Sequence, residues 1–120
     1  MFRFFLIDCT GVQIKAKIEP VVCEFVADIE AEIRDYQFVT LKVNSACETI
    51  IKVAGLLREF DAYNEIRDGF NGEFYKIIRE NLKGCCSGCA VSIGMFKSMQ
   101  VAASVALPRN ASIKIEKKVL

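Results

Sequence analysis

The chain contains no histidine and no tryptophan. The first absence removes the general base of most hydrolases, the Ser-His and Cys-His nucleophile pairs, and every zinc site that needs an imidazole. Long apolar runs are also missing. The early one, Phe4-Phe5-Leu6-Ile7, is closed by Asp8 and falls far short of the ~20 residues of a spanning helix or the core of a signal peptide. Charge of one sign is not in excess: 16 basic residues face 15 acidic ones, a net of +1. No broad field recruits phosphate backbones or anionic lipid, so neither nucleic acid nor membrane is expected as a partner. Only two prolines, Pro20 and Pro108, interrupt the chain, and there is no repeat, low-complexity stretch or linker. The glycines at 69–72 and 84–94 match neither a phosphate loop nor a dinucleotide fingerprint.

What is present is apolar material, 52% of 120 residues, enough for one core in one domain over residues 1–120. Residues 13–19 alternate, with Ile14, Ala16 and Ile18 on one side and Gln13, Lys15, Lys17 and Glu19 on the other, the period of a half-buried strand. From Val22 to Arg34 the alternation sets Cys23, Phe25, Ala27, Ile29, Ala31 and Ile33 against an acidic face. After a turn near Asp35, Val39, Leu41 and Val43 alternate with Thr40, Lys42 and Asn44, which predicts an antiparallel hairpin. Its acidic strand then faces Lys15, Lys17 and Lys42, read as cross-strand pairing on a solvated face and not as a carboxylate site.

Ser45-Ala46-Cys47-Glu48 has the form of a capping box ahead of a helix to about Glu59. Asp61 caps a short turn through Ile66, a second helix carries Phe74, Ile77, Ile78 and Leu82, and Gly84 stops it. Residues 92–106 are apolar nearly all round, with Lys97 their one charge, and predict a central helix whose surplus apolar surface favours self-association. Ile113 and Ile115 alternate with Lys114 and Glu116 as a final strand returning to the sheet. The expected fold is therefore α+β, in the order β-β-β-α-α-α-β, a mostly antiparallel sheet with helices packed on one face.

Six cysteines without an export signal suit a cytoplasmic protein whose thiols stay reduced, where metal ligation or redox chemistry is expected before structural disulfides. Cys85-Cys86-Ser87-Gly88-Cys89 contains one Cys-x-x-Cys pair. Two thiols at that spacing reach one ion, and a tetrahedral site then needs two more ligands, for which Cys23 and Cys47 are the natural candidates. Cys47 and Cys89 fall at predicted helix starts, where free N–H groups favour the charged, metal-binding form of a thiol. The metal set is thus Cys23, Cys47, Cys86 and Cys89, holding zinc or an iron–sulfur cluster. Cys9 is assigned to the core, a place free cysteine fills readily. Two other readings stay open: Cys86 and Cys89 as a thiol–disulfide couple, and a non-catalytic dimeric interaction domain with inert thiols.

The same residues carry a resemblance. Pro20-Val21-Val22-Cys23-Glu24-Phe25, Ser45-Ala46-Cys47, and Cys86-Ser87-Gly88-Cys89-Ala90-Val91 running on to Val101-Ala102-Ala103-Ser104-Val105-Ala106-Leu107-Pro108 resemble a family of short, uncharacterised cysteine-containing proteins found mainly in anaerobic archaea and bacteria. The likeness runs from about Val12 to Lys117 and leaves residues 1–11 as an extension. It implies a fold and a cysteine pattern without an activity. Val22 and Glu24 flank Cys23 where the family pattern has glycines, and Cys86 stands where it commonly has histidine. Histidine and cysteine are the side chains most readily exchanged at a zinc or iron–sulfur position.

Overall fold

A computed structural model describes residues 13–19, 25–35 and 37–119. Three strands form first: β1 (Gln13–Ile18), β2 (Ala27–Arg34) and β3 (Phe38–Ser45). They run antiparallel in sequence order, and a short β4 (Glu59–Asp61) joins the far side of β3. The alternation decides the faces. Ile14, Ala16 and Ile18 pair with Ala31, Ile29 and Ala27, which in turn pair with Leu41, Val43 and Ser45. On the outer face Lys15 lies opposite Glu30 and Glu30 opposite Lys42, while Lys17 lies opposite Asp28. The register sets opposite charges across from one another, an arrangement that favours the pairing of strands, although none of these side chains closes to ion-pair distance on its opposite and Lys17 meets Glu19 at 3.9 Å instead.

Four helices follow, α1 (Glu48–Leu56), α2 (Ala62–Asp68), α3 (Glu73–Asn81) and α4 (Ala90–Ala102); α1 packs on β3, α4 lies across β1, β2 and β3, and α3 packs on α1. In α1, Ile50 and Val53 are buried together with Leu57 just past its end, whereas Ile51 and Leu56 face solvent. In α3, Phe74 and Ile78 are buried, followed one turn on by Leu82. α4 is the central helix the composition predicts. Val91, Met95, Met99 and Ala102 face the sheet with Ser92, Gly94 and Ser98 beside them. The two hydroxyls donate to their own helix, Ser98 to the Gly94 carbonyl at 2.8 Å and Ser92 to the Cys89 carbonyl at 3.2 Å. Gly94 is required by proximity, because a Cβ there would press into Cγ1 and Cδ1 of Ile18.

Five expectations need correction. α1 ends at Leu56 and not near Glu59, which instead begins β4. The chain from Leu107 to Val119 is exposed and forms no strand; the fourth strand is Glu59–Asp61, too short to show a period. α4 closes at Ala102, where Ala103 and Ser104 turn and Ser104 takes a φ of 63°. β2 begins at Ala27; Phe25 and Val26 stand outside it, partly exposed. Ser45 does not cap α1. Its hydroxyl accepts from the Cys47 N–H at 3.2 Å, so the helix starts two residues later with Cys47 as N-cap and Glu48 too early to reach back. Asp61 does cap, accepting from the Asn64 N–H at 3.2 Å, and α2 runs on to Asp68. Among the described residues no helix is long and apolar enough to cross a membrane.

Candidate functional site

The register shows where the cysteine-bearing segments go. Ile18, Ala27 and Ser45 form one row across β1, β2 and β3, at the edge of the sheet where β1 and β3 end and β2 begins. Cys47 follows Ser45 by two residues and lies just past that edge. α4 comes to the same place, since Gly94 packs on Ile18, and Cys89 precedes Gly94 by five residues, about one and a half helical turns. Cys23 precedes Ala27 by four residues and lies outside the described residues, as does Cys9.

Locally, two cysteines hold equivalent posts. Cys47 is the N-cap of α1 and Cys89 the N-cap of α4, both in extended backbone and neither making a side-chain cap. A helix start usually recruits Ser, Thr, Asp or Asn there, because an oxygen satisfies the free N–H groups better than sulfur does. Before α4 the chain makes a 3-10 turn, Gly84–Gly88. It is closed by the Cys86 N–H donating to the Lys83 carbonyl at 3.2 Å and the Cys89 N–H donating to the Cys86 carbonyl at 3.1 Å. That turn brings the backbones of Cys86 and Cys89 together. Cys47, Cys86 and Cys89 are each half-buried against the core, while Cys85 is exposed. Cys47, Cys85 and Cys86 are in no disulfide. Among the described residues no three Cys, Asp or Glu side chains stand close enough to hold a metal ion, so the structure does not bring Cys47, Cys86 and Cys89 together as three ligands.

Two features escaped sequence reading. Glu65 of α2 is buried, 6% exposed, and its Oε1 accepts from the Phe74 N–H at 2.9 Å, capping α3 from another helix. Burial pushes its carboxyl above the usual glutamate range, the Phe74 hydrogen bond opposes this, and Glu73, Asp68 and Asp61 push it further up. Gly72 leaves the carboxylate room, since a Cβ there would come within 2.6 Å of Oε1. The second is a cleft of about 300 Å³ lined by Phe70, Tyr75, Ile93, Phe96, Lys97 and Gln100 with Gly69. Its rings pack in series at a tilt, Phe70 to Tyr75 at 4.8 Å and Tyr75 to Phe96 at 5.0 Å, and burial raises the Tyr75 hydroxyl pKa. The cleft is lined by no carboxylate or thiol. Both features join residues from separate elements, so neither leaves a periodic trace in the sequence.

Comparison with known proteins gives one match: the model of the family of unknown function DUF6951 covers residues 14–115. No curated protein and no solved structure matches.

Proposed function

The chain belongs to DUF6951, and on that footing we propose that it is a small protein that binds a metal ion or iron–sulfur cluster through Cys23, Cys47, Cys86 and Cys89 in a structural or accessory role. The observation that supports the reading is the row Ile18, Ala27, Ser45: Cys47 follows Ser45 by two residues, Gly94 of α4, five residues after Cys89, packs on Ile18, and Cys23 precedes Ala27 by four residues in the sequence. The donor chemistry fits. Cysteine sulfurs at two helix N-caps suit zinc or an iron–sulfur cluster as ligands, and in this chain no imidazole competes for either. Zinc held by four thiolates would cross-link elements distant in sequence; a cluster would in addition give a one-electron couple.

The test is metal analysis with a visible spectrum on protein purified without oxygen. Zinc, or iron with sulfide and a charge-transfer band, is expected at about one site per chain. Cys47→Ser and Cys89→Ser should each lose most of it, because serine keeps the size of cysteine but is a poor ligand. Full occupancy in both variants, or metal-free protein with every thiol titratable in the folded state, overturns the proposal. A second reading draws on the tight turn at Cys86 and Cys89: there the pair is a dithiol–disulfide couple, and Cys86→Ser and Cys89→Ser abolish a reductant-sensitive activity that Cys47→Ser leaves intact.

A further inference from the structure

The aromatic cleft lies apart from the cysteines, since no thiol lines it. Its walls come from three elements. Phe70 stands on the 3-10 turn Gly69–Asn71, Tyr75 on the first turn of α3, and Ile93, Phe96, Lys97 and Gln100 on α4. Phe70 is 73% exposed and Ile93 46%, so apolar surface within the cleft meets water and forgoes the gain of burial. Phe70 is nevertheless fixed. The Arg79 guanidinium donates to its carbonyl, the Gly72 N–H closes the turn on the Gly69 carbonyl at 3.1 Å, and its ring rests against that of Tyr75. The cleft is therefore formed before anything enters it.

The lining states what it would take. Successive rings are inclined, Phe70 to Tyr75 by 58° and Tyr75 to Phe96 by 35°. A flat ring between them meets the face of one and the edge of another, the arrangements that aromatic pairs favour. A volume of about 300 Å³ is at the small end of ligand sites, which suits one or two rings. Lys97 is the one charged residue of the lining, and among the described residues it is in no ion pair. The Gln100 side-chain amide and the Tyr75 hydroxyl likewise have no hydrogen-bond partner among the described residues. An apolar cleft with a few polar groups is the make-up of a small-molecule site. An ammonium with no counter-ion beside it selects an anion, and one ammonium matches one negative charge.

We propose that the cleft binds a small planar aromatic carboxylate, its ring among Phe70, Tyr75 and Phe96 and its carboxylate on Lys97. The test is an amide-resolved NMR titration of the reduced full chain with naphthoate, run beside neutral naphthalenemethanol and non-aromatic cyclohexanecarboxylate. Expected is saturable binding of naphthoate with a Kd of about 0.1–1 mM, as suits a ligand of that size, and shifts confined to residues 69–75 and 93–100. The two control compounds should each bind about tenfold more weakly or worse. Lys97→Met keeps the apolar stem and removes the charge; it should weaken naphthoate about tenfold and leave naphthalenemethanol unchanged. Phe70→Ala, at an exposed position, should keep the circular dichroism and weaken both aromatic probes. Shifts that are absent or spread over the chain, naphthoate bound no better than either control, or an affinity that neither variant moves overturns the proposal. So do two findings in the ligand-free protein. Cleft amides that shift on dilution would put a second copy there, and contacts from the cleft to Phe2, Phe4 or Phe5 would put the start of the chain itself there.

Discussion

At the scale of single residues, Glu65 is a carboxyl that the fold buries. Its carboxyl is buried among Glu73, Asp68 and Asp61 and holds one backbone N–H, that of Phe74. A carboxyl whose folded pKa lies above its unfolded value binds more protons in the folded state between the two values. Stability therefore falls as pH rises from the unfolded value through the folded one. Glu65→Gln keeps the acceptor for Phe74 and removes the charge. It should be more stable than the parent at pH 7, with the difference gone at acid pH, as urea titrations at the two pH values would read. Glu65→Ala leaves the Phe74 N–H without its acceptor and should cost about 1–3 kcal/mol at either pH. An unchanged pH profile in Glu65→Gln would mean that the carboxyl does not titrate across the folding transition.

At the scale of elements, what can be read from the sequence follows the length of the repeating pattern. β1, β2 and β3 show their inward rows in the sequence because six to eight residues alternate without interruption. β4 escapes because three residues hold no period, and Ile113 to Glu116 misleads because alternation states a preference for pairing without naming a partner. Cys47 and Cys89 could be placed near helix starts from sequence. Where those helices lie against the sheet could not, since it depends on the register of Ile18, Ala27 and Ser45 and on α4 lying across Ile18. That crossing is testable. Gly→Ala in a helix interior ordinarily gains about 1 kcal/mol, but the new Cβ at Gly94 meets Ile18, so Gly94→Ala should instead destabilise by about 1–3 kcal/mol. Ile18→Ala vacates the space, and the pair should then cost less than the sum of the single changes by about 1 kcal/mol or more. Additive costs in that cycle would show that α4 does not rest on Ile18.

At the scale of the whole molecule, the two ends of the sheet are held by different means. At one end Arg34 pairs with Phe38, Arg34 donates to the Glu59 carboxylate at 2.8 and 3.0 Å, and Gln37 donates to Asp61 at 2.6 Å, so β2, β3 and β4 are tied by side chains already in contact. At the other end, Ser45 leads into α1 and Gly94 of α4 rests on Ile18, and the N-caps of both helices are cysteines. If thiolates there hold an ion, the binding free energy adds to folding, and it acts on the elements the ligands join. Removing the metal with a chelator under reducing conditions should therefore lower Tm and raise hydrogen exchange at Ile18, Ala27, Ser45 and the first turns of α1 and α4. Exchange at Arg34, Phe38 and Phe60 should hardly change. A uniform rise over both ends would mean that the ion acts on global stability from elsewhere. No change at either end would leave the thiols as side chains that stabilise the fold by packing alone, as partly buried neighbours of the core.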